Sequence, residues 1–249
     1  MHVAVALSSR LFSPSFKGLD ASLQLFGHAR DIAWIFDYRD ELRTLPGISL
    51  SLKTYSHAEK LLSTLEGSNN IHSVQLQKTQ ITDEMVRSLA TQKNLNLLIL
   101  TDCEQFEGNL RLLEPLKQLN RLVLHRTPIN QGDLAALQNF PALTELGIES
   151  KVITPQNVEA LSACARLQKL YILDSNDQTV ATMALKSWPG MALHLSCQHV
   201  TPQCIPDLAR MSLAKEIRLD YSPIFPADLE RAEIPLENVV LRNSFKLPN

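Results

Sequence analysis

Glycine is scarce in this sequence, eight residues in 249, and never falls into a phosphate-cradling arrangement. G-x-G-x-x-G and G-x-x-x-x-G-K are both missing, as are G-x-S-x-G and H-E-x-x-H, which removes the common nucleotide-binding, hydrolase and zinc-protease signatures. Cysteine is also sparse. Four residues in a chain this long do not make a disulfide framework and point to reduced thiols in a cytoplasmic protein. Neither sign of charge dominates: the formal net charge is −2, so there is no global basic footprint for nucleic acid. Polar residues interrupt every leucine-rich segment, and no run of about 18 apolar residues exists to cross a bilayer. The N-terminus lacks the positively charged start of a secretory signal. With 45% hydrophobic and 20% charged residues, the balance is that of a folded protein.

What the sequence has is a period. The segments beginning at Ile71, Leu95, Leu119, Leu143 and Leu167 all read L-x-x-L-x-L, with an aliphatic at each L. Their central apolar residues, Val74, Leu98, Leu122, Leu146 and Leu170, are spaced by 24 throughout. One step back reaches Leu50, and going forward Leu193 follows after 23 residues, Ile217 after 24 and Val239 after 22. Three residues after the last leucine stands Thr79, Cys103, Thr127, Lys151, Ser175, Gln198, Ser222 or Ser244. Beyond it come apolar pairs three apart: Val86/Leu89, Leu110/Leu113, Leu134/Leu137, Val158/Leu161 and Ile205/Leu208. That spacing is the inward stripe of a short helix. Thr154-Pro155 and Thr201-Pro202 mark helix starts, Thr as N-cap and Pro at the first helical position, and Thr82 and Asn130 fill the same place.

This pattern resembles the leucine-rich-repeat family, and its 24-residue length most resembles the cysteine-containing and bacterial members. The resemblance covers about residues 47–245. It implies an α/β solenoid, a right-handed horseshoe with a parallel sheet on the concave face and helices on the convex face. It also implies a protein-binding function, with no cofactor. Each repeat is too small to bury its apolar side alone, and stacking supplies the core.

Residues 1–46 fit the template poorly and hold six aromatics: Phe12, Phe16, Phe26, Trp34, Phe36 and Tyr38. They read as an N-terminal cap with degenerate repeats, joined to a solenoid over 47–249 that ends in a fading, closing repeat after Pro235. Val3–Leu7 and Leu23–Leu25 alternate like strands, and Asp31–Leu45 reads as an amphipathic helix.

Side chains alternate across a strand, so residues between and after the core leucines face the concave side. One column runs Ser51, Gln75, Ile99, Val123, Gly147, Tyr171, His194, Arg218, Val240; the next runs Lys53, Gln77, Thr101, His125, Glu149, Leu173, Ser196, Asp220, Arg242. Leu97, Ile99 and Val123 form one apolar group there, Tyr171 and Leu173 another. A partner gains by burying both. His125, Glu149, His194, Arg218 and Asp220 are the polar contact candidates, suited to setting orientation and selectivity for a protein or peptide partner.

Catalysis and metal binding are the weaker readings. His125 and Glu149 occupy equivalent places in successive repeats, but an open sheet surface does not exclude water. Cys103 sits at the family's turn position, and Cys164 reads as a small helix residue. His194, Cys197, His199 and Cys204 lie close in sequence, yet the repeat template sends them in different directions and predicts no metal site. Two other classes stay open. A secreted bacterial effector acting in the host cytosol would fit a disordered N-terminal extension, although patterned sequence starts at Val3. A substrate receptor of a ubiquitin ligase would need a docking helix pair in 1–46, where no F-box-like stretch is found.

Overall fold

The computed structural model describes residues 3–6, 23–28, 39–43, 45, 47–53, 58–106, 108–232 and 238–242. Phe12, Phe16, Trp34, Phe36, Tyr38, Pro235 and Ser244, and most of the helix expected over 31–45, lie outside the described residues. The chain forms two compact units, Met1–Ala142 and Leu143–Asn249.

In the first unit the strands are β1 (Val3–Ala6), β2 (Leu23–His28), β3 (Ile48–Lys53), β4 (Ile71–Gln77), β5 (Leu97–Thr101) and β6 (Arg121–His125). They pair in chain order, all parallel. The register places Leu50, Val74, Leu98 and Leu122 side by side, so the 24-residue period of the sequence is a ladder rung in space. Between strands lie α1 (Arg39–Arg43), α2 (Ala58–Thr64) and α3 (Asp83–Ala90), then a 3-10 turn over Leu110–Leu113 and α4 (Gln131–Ala135). Val86, Leu89, Leu110, Leu113, Leu134 and Leu137 are buried with the strand leucines, as the three-residue spacing predicts. Each such side chain contributes roughly 1.5–3 kcal/mol through removal from water.

In the second unit β7 (Glu145–Glu149), β8 (Lys169–Leu173), β9 (Ala192–Ser196), β10 (Glu216–Asp220) and β11 (Val239–Arg242) pair in the same parallel order. The helices are α5 (Pro155–Ser162), α6 (Asp177–Met183), α7 (Ile205–Arg210) and α8 (Pro226–Arg231). Both units are thus strand–turn–helix repeats, and the fold is an α/β leucine-rich-repeat solenoid. No helix among the described residues is long and apolar enough to cross a membrane.

Caps start the helices where the sequence places them. The hydroxyls of Thr82 and Thr154 accept from the N–H groups of Met85 (3.1 Å) and Asn157 (3.2 Å), satisfying donors that the helix leaves unpaired. Thr201 accepts from Gln203 N–H at 3.3 Å, opening a 3-10 turn over Pro202–Cys204 that leads into α7. The caps also tie repeats together: Thr82 donates to Glu59 at 2.7 Å, and Thr201 to Asp177 at 2.6 Å.

The chain leaves its strands through a recurrent turn. Lys78, Asp102 and Arg126 in the first unit, and Asp174 and Tyr221 in the second, all have left-handed backbone, with φ between 47° and 57°. Each stands two residues after the last core leucine or isoleucine of its strand. The next residue turns inward: Thr79, Cys103, Thr127, Ser175 and Ser222 are buried. Thr79 and Thr127 donate to the carbonyls two residues back, Gln77 at 3.1 Å and His125 at 3.2 Å; the Cys103 thiol donates to Thr101 at 3.5 Å.

Two assignments change. Lys151, in a 3-10 turn over Ser150–Val152, is exposed where the column expects an inward residue. The inward place in the β9 repeat belongs to Cys197, not Gln198: Cys197 is fully buried and its thiol donates to the Leu195 carbonyl at 3.2 Å, while Gln198 is exposed. Cys197 follows Leu195 by two residues instead of three, and its backbone is not left-handed. This repeat drops the left-handed residue itself, shortening the turn by one.

Candidate interaction surface

The outward positions of the first unit form three aligned rows across the strands. Ser51, Gln75, Ile99 and Val123 are register partners; so are Lys53, Gln77, Thr101 and His125, and so are Ser73, Leu97 and Arg121. Leu97, Ile99, Val123 and His125 are half-buried and Lys53 is exposed, so the predicted apolar group lies together on one accessible face. Beside it, a depression of about 200 Å³ is lined by residues including Ser51, Lys53, Gln75, Gln77, Ile99 and Thr101. At the strand ends the Arg126 guanidinium forks onto the Asp102 carboxylate, 2.9 Å for one of the two contacts, and its other nitrogen donates to His125 Nε2 at 3.1 Å. Arg126 holds the Asp102 carboxyl below the usual carboxylate range, chiefly through that hydrogen bond.

The second unit presents a different surface. Gly147, Tyr171, His194, Arg218 and Val240 are register partners in one row, and Glu145, Lys169, Ala192 and Glu216 in the row before it. Tyr171 spans these strands. Its ring stands edge-on to that of His194, centroids 4.8 Å apart, and its hydroxyl donates to Glu145 at 3.5 Å across the side-chain-free Gly147. Glu145 also pairs with Lys169 at 3.0 Å. Glu216 receives His194 Nε2 at 3.1 Å and Arg218 at 3.0 Å on one oxygen. Burial lowers the His194 pKa most, the Arg218 charge lowers it further, and Glu216 only partly offsets them. Asp220 and Leu173 are half-buried, and Asp220 partners Ser196 and Arg242 in the ladder.

Two predicted contact residues are less accessible than strand alternation implies. Glu149 is 7% exposed and His194 8%. For His194 the reason is visible: Tyr171 covers one side and Glu216 and Arg218 reach it from the next strand. Three participants escape the two-column reading, namely Glu145, Lys169 and Glu216, which stand one pleat earlier on their strands. Only Leu97 is taken from that row, although the same period identifies its companions.

The His194–Cys204 stretch divides between strand face, core and solvent. His194 lies on the strand face, Cys197 and Cys204 are buried in the core, and His199 is exposed. Burial pushes both thiols up, Cys204 to about 12, and keeps them protonated. Cys103 and Cys164 are raised for the same reason.

No protein-family model matches the sequence, and no curated protein matches it either. Solved structures do. A chain of the mouse RP105/MD-1 complex is similar at a TM-score of 0.53 and 17% identity, over 98% of this chain and 46% of that one. A chain of the PEPR1–AtPEP1 structure is similar at a TM-score of 0.38 and 13% identity, over 90% of this chain and 34% of that one. The present chain therefore spans under half the length of either. The mouse likeness speaks for the fold, a leucine-rich-repeat solenoid, reached independently by register and period.

Proposed function

We propose that this chain is a protein-recognition module that binds a protein or peptide partner on its strand faces and does no chemistry of its own. The observation that carries the reading is the grouping of Leu97, Ile99 and Val123 on the accessible face of the first unit. Water gains nothing from three aliphatic side chains in adjacent rungs, while a partner that covers them removes apolar area. Polar rows on both sides give the usual anatomy of an apolar centre with a hydrogen-bonding rim. Tyr171 and Leu173 are the second anchor, and His125, Arg218 and Asp220 provide selectivity. The mouse structure of similar fold is a complex of two proteins, which is in keeping with this role. We further read the repeats as the cysteine-containing type, Cys103 being its turn residue, and the protein as cytoplasmic.

Ile99→Asp and Tyr171→Asp test the proposal. Each puts a charge on one anchor without touching the core. Both are expected to abolish capture of a partner from native lysate while circular dichroism and Tm stay near wild type. Retention of the same partner by both variants overturns it.

A further inference from the structure

Two side chains compete for one oxygen on the strand face of the second unit. His194 Nε2 lies 3.1 Å and a terminal Arg218 nitrogen 3.0 Å from the same Glu216 oxygen. That oxygen is buried, and among the described residues neither donor is aligned with it for a full hydrogen bond. The Arg218 Nε is likewise buried without an acceptor. A polar cluster left half satisfied gains when one donor takes the acceptor and the other finds water. The charged neighbours of His194 are fixed by the ladder. On β8, Tyr171 stands edge-on to the ring, while Lys169 is paired with Glu145. On β10 they are Glu216, Arg218 and Asp220, and on β9 itself Ala192 and Ser196 do not titrate. In the neutral imidazole the Nε2 proton faces Glu216, which leaves Nδ1 to accept a proton from solvent. That proton sets a second positive charge beside Arg218 and makes the ring a stronger partner for the carboxylate.

We propose that His194 is an acid-operated latch on this face: once protonated it takes the Glu216 carboxylate for itself, and the Arg218 guanidinium swings out into water. Arg218 is half-buried, not enclosed, so rotation of its own side chain suffices. Its Nε, unpaired inside, is then satisfied by solvent. The latch opens on the acid side of 6.5, because burial and the Arg218 charge both favour the neutral ring. Its consequence for binding rests on the recognition reading above. Arg218 is one of the selectivity residues, so acid changes the charge that the second unit offers a partner.

The test follows the full chain by NMR from pH 7.5 to 5, with no partner present. Imidazole ring shifts give the His194 titration. The Arg218 Nε–Hε signal, assigned by its loss in Arg218→Met, reports the guanidinium. In the wild type that signal is expected to move to the position of a solvated arginine, with the same midpoint as His194. In His194→Gln it should stay in place over the same range. In Arg218→Met the His194 midpoint should move up, since the competing charge is gone. An Arg218 signal that ignores the His194 titration overturns the latch. The same movement in His194→Gln also overturns it, by tracing the change to a carboxylate, and so does an unmoved His194 midpoint in Arg218→Met. These readouts need no partner. If they hold while Ile99→Asp and Tyr171→Asp still capture the same partner, the recognition reading falls and the latch stands.

Discussion

The ring of Tyr171 stands at 85° to that of His194, centroids 4.8 Å apart, on neighbouring strands of the second unit. An edge-on pair of this kind is worth about 0.5–1.5 kcal/mol beyond its burial and fixes both rotamers. It also closes one side of a histidine whose other contacts are Glu216 and, through the same carboxylate, Arg218. The result is a surface histidine with core-like burial.

The His194 pKa is lowered in the folded protein, by burial first and the Arg218 charge second. The unfolded chain then binds the proton more readily, so the stability owed to neutral His194 is full above the ordinary value of 6.5 and is lost as pH falls below it. Urea midpoints measured from pH 7.5 to 5 should drop on the acid side, and His194→Gln should flatten that drop. Parallel pH profiles for the two proteins would contradict the assignment.

Lys78 holds a left-handed backbone, φ 52°, with an exposed side chain. A β-carbon is disfavoured there and glycine is not. Lys78→Gly should raise stability by about 0.5–1 kcal/mol, and Lys78→Val should lower it by at least as much. Chemical denaturation of the two variants decides the sign.

Asn70 is 7% exposed, and its side-chain amide donates to the carbonyls of Leu42 at 2.7 Å and Leu45 at 3.0 Å. These bonds fasten the end of the α1 segment to the start of β4. Asn70→Ala leaves two buried acceptors without that donor and should cost about 1–3 kcal/mol. A shift of the denaturation midpoint below that range would mean the carbonyls find other partners.

Cys103, Cys197 and Cys204 are buried and Cys164 is partly accessible, all with raised thiol pKa values. A thiol reagent at neutral pH should therefore label Cys164 first and slowly. The other three should react only at the rate of unfolding. Rapid native-state labelling of four thiols would show that the core opens at Cys197 and Cys204.

The helix caps, the inward leucines and the strand rungs were legible because each rests on local chemistry or on a fixed period. Thr82 and Thr154 cap whatever the rest of the chain does, since cap and acceptor are three residues apart. Leu98 and Leu122 meet because a 24-residue repeat has one stacking register. Cys197 was misplaced by one position for the same reason: Leu193 to Ile217 keeps the 24-residue step, so a template of constant length cannot show that the turn after β9 is one residue shorter and the rest of that repeat one longer.

By itself the sequence determined the repeat, the parallel order of strands and the face on which Leu97, Ile99 and Val123 lie, because period and alternation leave one way to bury the leucines. Tertiary structure alone decided which outward residues remain reachable. Accessibility depends on what a neighbour one repeat away does with its side chain. Tyr171 leaning across Gly147 toward Glu145 and against His194 is a rotamer choice made between strands, and no period in the sequence encodes it.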